Sequence, residues 1–265
     1  MWHHNQLGVE LLQAHYVRHA YPRHSHDYYV LCVIEEGMQS FTHQGSKHIT
    51  HPGGVILINP GAVHTGEAAD SQGFRMCSIY PTTAHMQRAL HELTGRQQGL
   101  PFFGEVQVNQ PEIAVDLLAL HSALREEAGT LECEERFLWT LAQLIKRYAD
   151  KPYSENRLGK ETQAVCKTRQ FIHEHFCEGI SLQQLADQVA FNPYYLLRVF
   201  RAEVGMPPYA YLESVRIRQA QRLIKAGKPL AEVAAEVGFS SQSHLNQRFK
   251  RIIGVTPGQY AQRVQ

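Results

Sequence analysis

No stretch of this 265-residue chain approaches the ~20 consecutive apolar residues of a bilayer-spanning helix, so no membrane partner is expected. The opening MWHHNQLGVE lacks the basic segment followed by an apolar one that marks export, and the expected location is cytoplasmic. Cysteine is sparse: Cys32, Cys77, Cys133, Cys166 and Cys177 are odd in number and contain no CxxC pair. That pattern excludes a zinc ribbon or a disulfide framework and predicts reduced, mostly buried thiols. Net charge is also small, at +1, but it is unevenly spread: residues 160–265 hold 14 Lys+Arg against 8 Asp+Glu, and residues 1–159 hold 12 against 17. A basic tail fits a polyanionic partner, and a solvated charged face would give the same count.

The hydrophobic pattern divides the chain in two. Residues 1–80 read as short strands, with YYVLCVI, QSFTH, HIT, GVILINP and FRMCSIY separated by Gly, Pro and polar turns, the pattern of a sandwich or barrel. Residues 111–149 switch to a period near 3.6: Ile113, Leu117, Leu120 and Leu124, then Phe137, Leu141, Leu144 and Tyr148. These predict an antiparallel helix pair with one apolar face left over for a second copy, hence a homodimer. DKPYSENRLGKE, residues 150–161, reads as a linker between domains at 1–149 and 162–265.

The tail repeats itself. Leu182, Ala186, Val189 and Phe191 recur 48 positions later as Leu230, Ala234, Val237 and Phe239. Leu196, Phe200, Gly205, Pro208 and Tyr211 recur 49 later as Leu245, Phe249, Gly254, Pro257 and Tyr260. Each copy reads as helix, tight turn, helix. Asn192 with Pro193, and Ser240 or Ser241, suit helix starts, and Gly205 and Gly254 suit helix ends. The connecting PYAYLESVRIRQAQRLIKAG is helical for roughly 28 Å, a span that lets two recognition helices meet successive major grooves about 34 Å apart.

Through SLQQLADQVAFNPYYLLRVFRAEVG, VRIRQAQRLI and EVAAEVGFSSQSHLNQRFKRIIGVTPGQY, residues 165–262 resemble the AraC/XylS family of bacterial transcription regulators. The resemblance implies promoter DNA as partner, with base-facing positions at Tyr194, Leu197 and Arg198 of the first reading helix and Gln242, Ser243, His244, Asn246 and Gln247 of the second. Leu197 stands where the family commonly has a polar residue, and Gln247 where it commonly has Arg. Arg198 suits bidentate recognition of guanine, while Gln242, Asn246 or Gln247 suit adenine. Arg201, Lys250 and Arg251 suit phosphate contacts.

Many members of that family carry a cupin-like barrel, and HSH at 24–26 with GGVILINPGAVH at 53–64 resembles the two cupin motifs. The resemblance makes His24, His26 and His64 three ligands of one ion, zinc or another divalent metal. The glutamate that cupin enzymes add falls at Val30 or Leu31, and neither can ligate. The same imidazoles could instead contact an effector directly, with no cofactor required, or be surface histidines in a chain that has 16. Strand alternation places Tyr28 inward beside His24 and His26. The expected fold is α+β, two domains: a cupin-like barrel with a helical hairpin, then an all-α tandem helix-turn-helix. The expected function is a regulator controlled by a small polar effector (an amino acid, sugar or small acid), and the alternative is a cupin-type metal-dependent enzyme with an accessory helical tail.

Overall fold

The computed structural model describes residues 1–126, 128–153, 159 and 161–264. Nine strands come first: β1 Trp2–His4, β2 Val9–Tyr16, β3 Tyr21–His24, β4 Val30–Gly37, β5 Gln39–His43, β6 Ser46–Thr50, β7 Val55–Ile58, β8 His64–Ala68 and β9 Phe74–Tyr80. After helix α1, Thr83–Thr94, a short β10 at Gln107–Val108 and helices α2, Pro111–Arg125, and α3, Thr130–Tyr148, complete this part. All pairings are antiparallel, in a six-stranded sheet ordered β1-β2-β9-β4-β7-β10 and a four-stranded one ordered β3-β8-β5-β6. Cys32, Ile34, Ile56, Ile58, Phe74 and Met76 of the larger sheet share one core with Phe41 of the smaller. Helix α2 packs on the outer side, against β4 and β9. Covered on both faces, β7 buries every residue of its VILI, a continuous run rather than an alternation.

Helix α1 falls where the sequence reading assigned nothing. It starts from a reciprocal capping box between Thr82 and His85, a signal readable in TTAH only once the helix is suspected. Helix α3 begins at Thr130, seven residues before Phe137, the first apolar position of its expected pattern. The expected leftover apolar face is corrected: Ile113, Leu117, Leu120, Leu124, Leu141 and Leu144 are all buried within the chain, and among the described large apolar residues of α2 and α3 only Val115 is exposed.

By contacts the chain forms two compact units, Met1–Ala128 with Arg136–Asn156, and Gly129–Glu135 with Arg157–Gln265. Most of the expected linker, 154–158 and 160, lies outside the described residues. The second unit is helical: α4 Thr162–His175, α5 Leu182–Asp187, α6 Pro193–Val204, α7 Pro208–Lys225, α8 Leu230–Glu236, α9 Gln242–Ile253 and α10 Pro257–Val264. Helices α5 and α6 form the first helix-turn-helix, α8 and α9 the second, and α7 joins them. The second copy packs Val233, Ala234, Val237, Phe239, Leu245 and Phe249 against Ile217, Ala220 and Ile224 of α7. All five cysteines are free; Cys32, Cys77 and Cys133 are buried, and Cys166 and Cys177 are exposed.

Candidate functional site

Three imidazoles meet at one point of the first unit. His24 ends β3 and His64 opens β8, and the two are direct cross-strand partners in the register. His26 and Tyr28 lie in the loop after β3, not on a strand, so alternation does not place them; the loop does. The Gly61 N–H donates to the His26 carbonyl at 2.7 Å, tying the NPG turn that precedes His64 to the loop that carries His26. Asn59 of the same turn brackets Phe103, accepting from its N–H at 3.0 Å and donating to its carbonyl at 2.8 Å. The His26 and Tyr28 rings stack at 4.3 Å between centroids.

The ring nitrogens are already sorted. Nδ1–H of His24 donates to the Pro22 carbonyl at 2.7 Å, that of His26 to the Tyr28 carbonyl at 3.1 Å, and that of His64 to the Ala62 carbonyl at 2.9 Å. A carbonyl can only accept, so each Nδ1 carries the proton and each neutral ring keeps a lone pair on Nε2. Burial pushes His64 down to about 4 and lowers His26, which keeps both uncharged at neutral pH. One nitrogen from each of the three rings lies within 4.8 Å of the others. Main-chain carbonyls that fix the tautomer of histidines aimed at one point are the usual outer support of a metal site. The donor set fits a divalent cation, zinc foremost.

Below the cluster is a cavity of about 170 Å³ lined by His24, His26, His64, Tyr28, Gln39 and Tyr80 together with apolar side chains of both sheets.

The second unit presents its recognition helices unequally. Asn192 caps α6 by accepting from the Tyr195 N–H at 2.6 Å, Ser241 rather than Ser240 caps α9, and Gly205 and Gly254 end the two helices with φ of 78° and 87°. On α9, Gln242, Ser243, Gln247, Lys250 and Arg251 are exposed and Asn246 is half-buried. On α6, Arg198 and Arg201 are half-buried, but Tyr194 and Leu197 are 1% and 0% exposed. Tyr194 and Leu197 are thus the most enclosed of the expected base-facing residues.

His244 is half-buried and held by its neighbours. Its Nε2 accepts from Arg248 Nε at 3.2 Å, its Nδ1 lies 3.1 Å from Ser240 Oγ, and its ring meets Phe239 edge to face at 5.2 Å. It braces the turn rather than facing outward. Arg251 is ion-paired to Glu213. Arg248, which sequence reasoning passed over, lies 2.9 Å from Glu132 and 3.4 Å from Glu213. Nothing in the local pattern marks it, because both partners are remote in sequence.

Two antiparallel sheets enclosing a cavity, in a chain that also carries two helix-turn-helix copies on a connecting helix, define a ligand-responsive DNA-binding regulator. Residues 6–141 match the AraC-like ligand binding domain and residues 185–263 the helix-turn-helix domain. The HTH-type transcriptional regulator YbfI of Bacillus subtilis is 34% identical over 243 residues, covering 90% of this chain and 86% of the relative. The activator RhaS of Enterobacter sp. is 22% identical over 253 residues, 92% and 88% of the two chains. Among solved structures, apo ToxT K231A of Vibrio cholerae is similar at TM-score 0.41 and 14% identity, covering 97% of this chain and 98% of that one. The chain belongs to the AraC family of transcription regulators. It binds DNA and a small effector, and the alternative of a metal-dependent enzyme is set aside because its relatives are regulators.

Proposed function

We propose that this regulator senses its effector in the cavity beneath His24, His26 and His64, with Tyr28 beside them, and that the three imidazoles hold one divalent cation there. The observation that carries this reading is the shared arrangement of the three rings, each with Nδ1–H committed to a main-chain carbonyl and nitrogens gathered within 4.8 Å. Three imidazoles gathered in this way match the donor set of a divalent cation, which when bound would supply a Lewis-acid point for an oxygen of the effector. Promoter DNA is read mainly by Gln242, Ser243, Asn246 and Gln247 of α9 and by Arg198 of α6, while Arg201, Lys250 and Arg251 contact phosphates. The regulator acts in the cytoplasm as a homodimer.

Elemental analysis of chain purified without chelator tests the cation. One zinc per chain is expected in the wild type and a small fraction of that in His24→Ala, because losing one of three ligands leaves an incomplete site. Equal metal in both proteins would refute it. Duplexes selected from a random pool by the full chain test the DNA reading, and a Lys250→Ala protein should weaken binding evenly across the selected sequences.

A further inference from the structure

The effector cavity carries more information than its mouth. Beside the histidines and tyrosines, Leu12, Val30, Phe41, Ile56, Ile58 and Met76 give it an apolar surface. Among the described lining residues there is no Asp or Glu. An amino acid's ammonium would thus be buried without a counter-charge, and a sugar, with hydroxyls on every side, would set some of them against the apolar side chains even though Tyr21, Thr65, Ser78 and Tyr80 also line the space. At about 170 Å³ the space is close to the ~150 Å³ of a cavity that holds benzene, so it takes about one ring.

Gln39 breaks the apolar wall. It is 7% exposed, it lines the cavity, and its Oε1 has no hydrogen-bond partner among the described residues. Its carboxamide lies over Gly66 of β8, where a Cβ would stand 2.9 Å from Gln39 Nε2, so the glycine makes room for it. A buried amide with an unused acceptor is costly until a ligand group completes it. A hydroxyl completes it in either orientation of the carboxamide, since it both donates and accepts.

We infer that the effector is a small carboxylic acid built on a single ring and bearing a hydroxyl: the carboxylate meets the histidine cluster, the ring fills the apolar wall, and the hydroxyl bonds Gln39. The carboxylate end rests on the cation reading above; the ring and the hydroxyl rest on the cavity alone. This selects the small acid from the three effector types that the sequence left open.

The three isomeric hydroxybenzoates, benzoate, glucose and alanine are titrated calorimetrically into zinc-loaded and chelator-treated full-length protein, with zinc per chain measured in each sample. At least one hydroxybenzoate should bind the zinc-loaded protein about tenfold or more tighter than benzoate, one hydrogen bond's worth, and glucose and alanine should not bind. In Gln39→Met that preference should fall to within about twofold while zinc stays at one per chain. Gly66→Ala, which crowds the carboxamide, should reduce it as well and serves if the first variant does not fold. A zinc-loaded protein that binds none of the acids overturns the ligand class and leaves the cation reading standing. Equal acid binding with and without zinc, or no zinc retained by the untreated protein, overturns the cation reading; a hydroxybenzoate preference seen there still supports ring and hydroxyl, and its absence overturns them. A hydroxyl preference that survives both substitutions overturns the role of Gln39.

Discussion

At equivalent points of the two helix-turn-helix copies, the turn requires a left-handed residue, and the chain meets the requirement differently. The first copy uses Ala190 at φ 54°, and the second uses Gly238 at φ 82°. A Cβ on Gly238 would lie 2.6 Å from the Cys177 carbonyl oxygen, so Gly238→Ala adds a clash with backbone to the conformational strain. It should cost about 2 kcal/mol or more, read by chemical denaturation, while Ala190→Gly should gain up to about 1 kcal/mol. His244 offers a pH prediction. Burial, first, and then the Arg248 charge lower its proton affinity, and its Nε2 must stay unprotonated to accept from Arg248. The unfolded chain therefore takes up the proton more readily. Stability should be full above the unfolded value of about 6.5 and be lost as pH falls below it. Thermal midpoints at about pH 7.5 and about pH 5.5 should drop further for the wild type than for His244→Asn, and parallel drops would count against the histidine.

Among the helices, α9 is the more open reader and α6 the more enclosed one. Gln247→Ala and Gln242→Ala should each relax selection at one base pair by about 1–3 kcal/mol, and Lys250→Ala should lower the slope of log affinity against log salt by about 0.9. Arg198→Ala in α6 should behave as a reader, whereas Leu197→Ala, at a buried position, should cost about 2–5 kcal/mol of stability and leave base preference unchanged. Base-by-base binding measured beside denaturation separates the two; a change of base preference in Leu197→Ala would show it to be a reader. The buried Arg216 shows another use of a cation on such helices: it donates to the Phe176 carbonyl at 2.7 Å and the Glu178 carbonyl at 2.8 Å, fixing the segment after α4 onto α7. Not every basic residue of the tail is therefore available to DNA.

For the whole molecule, binding of the full chain to its selected duplex should weaken steeply with salt, because each phosphate neutralised contributes about −0.9 to the log–log slope. A flat response would contradict backbone contact by the basic tail. Sedimentation at micromolar concentration tests the homodimer, and a monomer with and without DNA would overturn it. The covering of α2 and α3 within the chain means that a charge at Leu141 would unfold the first unit instead of reporting on assembly.

The parts of the protein that local chemistry controls were legible in the sequence. A repeat of apolar positions at helical spacing can bury itself only as paired helices, a side chain such as Asn192 or Ser241 satisfies backbone donors within three residues, and glycine tolerates the left-handed end of a helix. Two histidines near a strand end and a third after NPG also marked a site, although the loop, through Gly61 and His26, does the aligning that strand alternation was expected to do. What only the tertiary structure decided depends on residues distant in the chain. Tyr194 and Leu197 became buried, Glu132 and Glu213 met Arg248 across more than a hundred and about thirty-five residues respectively, and packing of the two sheets left Gln39 lining a cavity with its acceptor unused. Local sequence encodes which element forms, because propensity, caps and periodicity act within a few turns; which faces of that element stay open is set by what packs against it, and that partner can come from anywhere in the chain.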